Sequence, residues 1–179
     1  MAPSPHIDLK SLIRDVPDFP QPGVLFRDIT PLLQDAAALR YVIDKLASEA
    51  AARNPDAIVG IESRGFVFGA PVAYKLGVPF VPIRKAGKLP AERMSVEYAL
   101  EYGSSQLDIH ADALRRGQTA VIVDDLLATG GTAAAAAKLV ELLGARVAAI
   151  AFLIELAFLN GRQALPDYEI VTLIRYDDP

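Results

Sequence analysis

Hydrophobic positions along the chain follow two patterns, and each predicts a kind of secondary structure. Apolar residues recur at three- and four-residue spacing in stretches that predict helices over 39–50, 65–76 and 132–143. Short continuous apolar runs predict strands over 57–61, 78–83, 119–123, 147–154 and 169–174. A short helix is also predicted over 9–16, followed by a proline-rich, irregular stretch that ends at Pro31.

The predicted strands are apolar throughout and are separated by helices. This arrangement is typical of an α/β fold, an open and mostly parallel twisted sheet with helices on both faces and right-handed crossovers. In such sheets, ligands bind beyond the carboxyl ends of the strands. Residues 95–109 depart from the pattern and predict a two-stranded ribbon or flap, preceded by an exposed loop over 84–93.

Composition excludes several classes of function. The 179 residues suit one compact domain, and the absence of cysteine excludes disulfides and thiolate metal sites. His6 and His110 lack the spacing of zinc ligands. A net charge of -4 disfavours a nucleic-acid surface, and no apolar run has the length of a membrane span or a signal peptide. We therefore expect a cytoplasmic protein that binds neither nucleic acid nor membranes.

The most informative segment is 121–132, where an apolar strand ends in two acids and a glycine-containing loop leads into a helix. Gly130 and Gly131 leave backbone N–H groups free to face a ligand, and the helix N-terminus adds further donors. Hydroxyl donors come from two flanking residues, Thr129 and Thr132. The pattern predicts a nest for a phosphate monoester.

Two other interpretations of this segment are weaker. It has neither the lysine of a Walker loop nor the spacing of the dinucleotide-binding fingerprint. A plain strand-to-helix turn capped by Thr132 would explain that threonine and one glycine. It would not explain the adjacent acids Asp124 and Asp125, which would repel a phosphate unless they bind sugar hydroxyls or a metal.

Residues 124–132 resemble the phosphoribosyl pyrophosphate motif of type I phosphoribosyltransferases, in the form found in the adenine-specific members. Other segments resemble the same family in the same order: 26–31, 62–66, 83–90 and 100–103. The resemblance extends over roughly 8–176. It implies the type I phosphoribosyltransferase fold as a single domain over 1–179, with a small N-terminal hood over about 1–33 and a flexible loop and flap over about 84–109.

The reaction implied by the resemblance is attack of adenine on phosphoribosyl pyrophosphate, giving AMP and pyrophosphate in purine salvage. Magnesium is the implied cofactor and a homodimer the implied assembly. Two alternatives stay open: the same transfer to another purine, such as hypoxanthine or xanthine, and a non-catalytic ribose-phosphate sensor of the same fold.

The resemblance also implies roles for individual residues. The 5′-phosphate would be held by Ala128, Thr129, Gly130, Gly131 and Thr132. Asp124 and Asp125 would contact the ribose hydroxyls, directly or through metal-bound water. Magnesium would be held mainly by the substrate, with the same two acids as candidate ligands. Cations that follow two of the strands would bind pyrophosphate: Arg64, Arg84, Lys85 and Lys88.

The adenine pocket and the flap are implied in the same way. Adenine would meet the side chains of Phe26 and Leu156 and the backbone of Val24 and Arg27, although core packing is the alternative for Phe26 and Leu156. In the flap, Glu101 would act on purine N7 as general acid or base beside Tyr102; the alternative is a solvated charge. The family further implies a non-proline cis peptide near Glu62 and Ser63.

Overall fold

The computed structural model describes residues 7–99 and 104–179. It begins with a 3-10 turn, a two-stranded antiparallel sheet and two helices: the turn Lys10–Leu12, β1 (Arg14–Val16), β2 (Phe26–Asp28), α1 (Thr30–Gln34) and α2 (Ala36–Ala51). The helix predicted over 9–16 and the irregular stretch up to Pro31 are therefore wrong. Residues 14–16 form a strand because they pair with β2. Pro31 lies in the first turn of α1, where its missing N–H is tolerated.

The remaining strands form one sheet: β3 (Ala57–Ile61), β4 (Phe80–Lys85), β5 (Arg93–Ala99), β6 (Ser104–His110), β7 (Thr119–Leu127), β8 (Arg146–Leu156) and β9 (Ile170–Tyr176). In the described ranges it has seven strands in the order β5-β6-β4-β3-β7-β8-β9. The neighbouring strands β4, β3, β7, β8 and β9 pair in parallel. In contrast, β6 pairs with both β4 and β5 in antiparallel orientation. The predicted mostly parallel sheet and two-stranded ribbon are thus confirmed.

Helices cover both faces of this sheet, which explains why its strands are apolar throughout. One hydrophobic core lies beneath α2 and α3 (Arg64–Leu76), and the other lies beneath α4 (Gly131–Leu142). Neighbouring residues of β3 join different cores: Ile58 packs with α2 and α3, whereas Val59 packs with α4. As predicted, α3 ends at Gly77 in the left-handed conformation that glycine adopts at little cost.

The strand order creates a crevice between β3 and β7. The chain continues from β3 to β4 on one side, while β7 pairs with β3 on the other, so the connections diverge at this point. Ligands of open α/β sheets bind at such a switch point, beyond the carboxyl ends of the strands. Arg64 follows β3, and Asp124 and Asp125 lie near the end of β7. None of the described helices combines the length and apolarity needed to cross a bilayer.

The start of α2 provides a test of local stability. The Asp35 carboxylate accepts hydrogen bonds from the N–H groups of Ala37 (2.9 Å) and Ala38 (3.0 Å), which would otherwise lack partners. We expect Asp35→Ala to lower the free energy of unfolding by about 1 kcal/mol in a urea titration. Asp35→Asn keeps an oxygen acceptor and should lose much less; equal losses in the two variants would contradict the capping role.

Candidate active site

A cleft of about 510 Å³ opens at the carboxyl ends of β3 and β7. It brings together the acid pair, two cations and the loop that leads into α4. The sequence-predicted residues that line it are Arg64, Lys85, Asp124, Asp125, Ala128, Thr129, Gly130, Gly131 and Thr132. Further lining comes from residues the sequence did not single out for the site, among them Tyr98, whose hydroxyl lies 3.4 Å from the Thr132 hydroxyl.

The loop 128–132 presents unused hydrogen-bond donors to the cleft. Within the described ranges, the N–H groups of residues 129–133 meet no acceptor. Gly130 precedes α4 with φ +86°, a conformation that favours glycine, and no side chain caps this helix. Thr132 lies inside α4 rather than at its cap, so the capped-turn interpretation is wrong. Free amides at a helix N-terminus form an anion site.

Behind this loop lies a turn that sequence reasoning missed. A Cβ placed on Gly130 would collide with the carbonyl oxygen of Gly161, and a Cβ placed on Gly161 would collide with the carbonyl oxygen of Ala128. The two glycines therefore let the loop and the Gly161–Ala164 turn pack backbone against backbone. Asn160 and Gly161 suggest a turn in the sequence, but nothing local links that turn to a loop thirty residues earlier.

The acid pair is crowded and poorly solvated. Asp125 is buried, and its Oδ2 lies 2.7 Å from Nε of Arg64, although the N–H does not align for a hydrogen bond. Its backbone N–H donates to Oδ1 of Asp124 at 2.9 Å. Burial raises the pKa of both carboxyl groups. At Asp124, burial and then the charge of Asp125 raise the pKa well above its usual range, while Arg64 opposes the rise at Asp125. Hydroxyl groups or a cation in the cleft would relieve this strain.

Arg64 is positioned by the first turn of α3. The expected non-proline cis peptide is present between Glu62 and Ser63, immediately before it. A Cβ on Gly65 would lie 2.7 Å from the carbonyl oxygen of Val123, so only glycine lets α3 approach β7 this closely. The Arg64 guanidinium carbon lies 5.3 Å from the centre of the Phe26 ring, within the range of a cation–π contact.

A second group of charged residues surrounds Glu62. Its carboxylate accepts a hydrogen bond from Arg84 at 3.1 Å and one from the backbone N–H of Lys85 at 2.9 Å. These contacts hold the pKa of Glu62 below its usual value, with the hydrogen bond from Arg84 as the largest cause. Arg84 also donates to the carbonyl of Lys88 at 3.2 Å. Lys85 lines the cleft, whereas Arg84 and Lys88 are not among its described lining residues.

The residues expected around the base lie outside the lining of this cleft, as far as the described residues define it. Val24 is held in a turn, where its N–H donates to Gln21 and its carbonyl accepts from Phe19. Phe26 does not line the cleft either, but its ring contacts Arg64, which does. Leu156 is buried at the end of β8.

Arg27 directs its side chain toward Asp15 and Tyr176. Its guanidinium pairs with Asp15 and lies 4.1 Å from the centre of the Tyr176 ring, so the side chain is already engaged. The flap residues Glu101 and Tyr102 lie outside the described residues. Among those described, no group of three or more potential ligands could hold a metal ion by itself.

The chain matches a known family over most of its length. The model of the phosphoribosyl transferase domain matches residues 29–176, which span both the switch point and the loop. An adenine phosphoribosyltransferase from Cyanothece sp. is 61% identical over 170 residues, covering 95% of this chain and 100% of that protein.

Solved structures give the same result. The adenine phosphoribosyltransferase of Thermoanaerobacter pseudethanolicus superposes with a TM-score of 0.91 at 58% identity, covering 94% of this chain and 98% of that one. The Saccharomyces cerevisiae enzyme, solved with an imino-altritol bisphosphate and adenine, gives 0.86 at 45% identity, covering 92% and 95%. The chain therefore belongs to the phosphoribosyl transferase family, among its adenine phosphoribosyltransferases, and the expected fold is confirmed.

The raised pKa of Asp124 predicts a conflict between stability and function. An acid with a higher pKa in the folded than in the unfolded chain takes up protons on folding, so it destabilises the fold increasingly as pH rises above its usual 3.8. Asp124→Asn should therefore raise Tm at pH 7, with a gain that shrinks as pH falls toward 4. Turnover should fall by about 100-fold, because the role expected for Asp124 requires a carboxylate that can become charged beside the ribose.

Thermal unfolding at the two pH values measures this gain. The exposed Asp112 provides the matched control, since Asp112→Asn removes a carboxylate without relieving a buried pair. A Tm for Asp124→Asn equal to or below that of the parent chain at pH 7 would contradict the prediction.

Proposed function

We propose that this chain transfers the 5-phosphoribosyl group of phosphoribosyl pyrophosphate to adenine, giving AMP and pyrophosphate in purine salvage. The observation that carries the proposal is the pairing of an anion-binding loop with two under-solvated carboxylates at one switch point. A sugar phosphate satisfies both at once, because its phosphate accepts from the loop and its hydroxyls donate to the acids. The names of the relatives supply the base.

The reaction develops charge at two positions, and the chain has groups for each. The ribose becomes oxocarbenium-like as the bond to pyrophosphate lengthens, and the carboxylates of Asp124 and Asp125 stabilise that positive charge. Negative charge gathers on the departing pyrophosphate, where Arg64 and Lys85 line the cleft. We place Arg84 and Lys88 at the outer end of the pyrophosphate, with Glu62 orienting Arg84.

The donor set of the cleft fits magnesium as a partner of the substrate. Two adjacent carboxylates offer hard oxygen ligands, and Asp125 Oδ2 has no aligned hydrogen-bond donor. Two carboxylates supply fewer oxygens than magnesium requires, so Asp124 and Asp125 would hold it only together with substrate and water oxygens. When bound, magnesium would supply positive charge to the departing pyrophosphate.

The adenine side of the site is assigned to the N-terminal hood, about 1–33, and to the flap within about 84–109. Phe26 stacks on the purine, the backbone of Val24 and Arg27 contacts its edge, and Leu156 limits the pocket from β8. In the flap, Glu101 moves a proton at purine N7, and Tyr102 beside it helps to exclude water from the oxocarbenium ion. The contact of Phe26 with Arg64 supports a base held next to the pyrophosphate subsite.

The two alternatives differ in chemistry from the proposed reaction. Transfer to hypoxanthine or xanthine would need a pocket that recognises an oxo group at the position of the adenine amine. A ribose-phosphate sensor would bind the sugar phosphate without turnover, and the net charge of -4 disfavours the DNA binding that such regulators use. A cytoplasmic location, without nucleic-acid or membrane partners, agrees with the cysteine-free composition.

An assay of AMP formation from adenine and phosphoribosyl pyrophosphate tests the function. We expect adenine to react faster than hypoxanthine, and EDTA to abolish turnover until magnesium is restored. Thr129→Ala should lower kcat/KM by about 10-fold or more, while Thr129→Ser keeps the hydroxyl and most of the activity. Faster turnover of hypoxanthine would overturn the choice of base. No turnover with any base, together with tight DNA binding at physiological salt, would favour the sensor.

A homodimer is supported by the outer face of α3. The exposed fraction of Val67 is 38% and that of Tyr74 is 90%. Ala70, also exposed, lies between them on the same face. Apolar side chains exposed along one helix face are typical of an interface between copies. Because α3 begins at Arg64, this interface would lie next to the cleft.

Changing Tyr74 tests the assembly. Tyr74→Glu places a charge on the proposed interface, so sedimentation velocity should show a shift from dimer to monomer. Leu142→Glu is the matched control, because Leu142 is an exposed apolar residue (47%) on α4, which covers the opposite face of the sheet. An unchanged sedimentation coefficient for Tyr74→Glu, or an equal shift in both variants, would contradict an interface on α3.

A further inference from the structure

The turn behind the loop 128–132 is anchored by a buried carboxylate that the proposed reaction does not use. Glu155 lies near the end of β8, and its side chain is only 4% exposed. Its oxygens accept from Nε and Nη2 of Arg162 at 2.7 and 2.8 Å, a two-point contact that fixes the guanidinium plane. Removing one partner of such a buried pair is costly, because it leaves a desolvated charge without compensation.

Two residues of β9 complete the set of donors to Glu155. The Thr172 hydroxyl donates at 3.1 Å, and Arg175 donates at 3.1 Å. Hydrogen bonding, led by that from Arg162, keeps the pKa of Glu155 below its usual value in spite of burial. The carboxylate therefore stays ionised and joins two strands to the turn that carries Arg162.

This turn presses directly on the anion-binding loop. Arg162 follows Gly161, whose backbone fits against the carbonyl of Ala128 and against Gly130 with no space for a Cβ on either glycine. A Cβ on Gly130 would also lie 2.9 Å from the Cβ of Ala164, at the end of the turn. Leu165 follows and is buried in the core beneath α4. The turn is thus held from one side by the core and from the other by Glu155.

We propose that Glu155 and Arg162 are positioning residues for the 5′-phosphate, acting through Gly161 on the loop 128–132. Among the described residues, no side chain caps the helix that follows the loop, so the close backbone contact with Gly161 is what sets where the free amides point. Anion binding by such amides depends on their direction, and a displacement of about 1 Å is enough to lose much of it. The assignment rests on the proposed binding of a ribose phosphate by this loop.

The inference predicts a selective loss of phosphate affinity. Gly161→Ala forces the Ala128 carbonyl to move, and Arg162→Met frees the turn while Arg175 and Thr172 still hydrogen-bond Glu155. Both variants should raise the KM for phosphoribosyl pyrophosphate by about 10- to 100-fold, with a much smaller change in the KM for adenine and in kcat. Arg162→Lys keeps the charge and should recover part of the loss.

Two matched controls separate positioning from general destabilisation. Gly69→Ala also creates a collision, but with the Phe80 ring on the α3 side of the sheet. Arg53→Met removes another arginine held by two carboxylates, Glu49 and Glu169, before β3 begins. Both controls should lower Tm without changing the KM for phosphoribosyl pyrophosphate.

Calorimetric titration of ribose 5-phosphate into each folded variant tests the inference without relying on turnover. The parent chain and both controls should bind alike, and Gly161→Ala and Arg162→Met should bind more weakly by the same factor as the KM change. Parental affinity in both site variants would overturn the positioning role alone. A parent chain that binds neither ribose 5-phosphate nor phosphoribosyl pyrophosphate would overturn the proposed function as well.

Discussion

The site depends on the close approach of separate backbone segments around the end of β7. Gly65 lets the first turn of α3 lie against Val123, and Gly161 lets the turn after β8 lie against Ala128. A single Cβ at either position would separate these segments. Interiors packed at this density do not absorb such a displacement locally, so the loop and the acid pair would move together. Backbone packing therefore fixes the relative positions of the loop 128–132, the first turn of α3 and the acid pair.

The same packing removes water from two like charges. Asp124 and Asp125 lie side by side where burial raises both pKa values, and only Arg64 supplies a nearby opposite charge among the described contacts. A fold selected for stability alone would place neutral side chains here. The pair fits the proposed role in an enzyme whose transition state is positively charged at the ribose, because two carboxylates would bind that state better than the neutral ground state.

Much of the fold and the centre of the site could be predicted from local sequence patterns. The strand Ala57–Ile61 and the helix end at Gly77 follow from apolar runs and glycine chemistry, which act over a few residues. The strand β1 could not be predicted, because its partner β2 lies ten residues away and overrides a helical pattern. The support given by Gly161 was missed for the same reason: it is a contact between distant segments, and the sequence around it shows only an ordinary turn.

Arg64 connects the parts of the site that bind different chemical groups. Its guanidinium lies between the carboxylate of Asp125 and the ring of Phe26, so one side chain touches both the acid pair and the hood. In the proposed assignment, pyrophosphate would compete with Asp125 for this cation, and a base stacked on Phe26 would lie near the same guanidinium. On that assignment, binding of either substrate would change the environment of a residue that the other one needs. This coupling requires no movement of the sheet, because β3 and β7 hold the backbone on which Arg64 and Asp125 are placed.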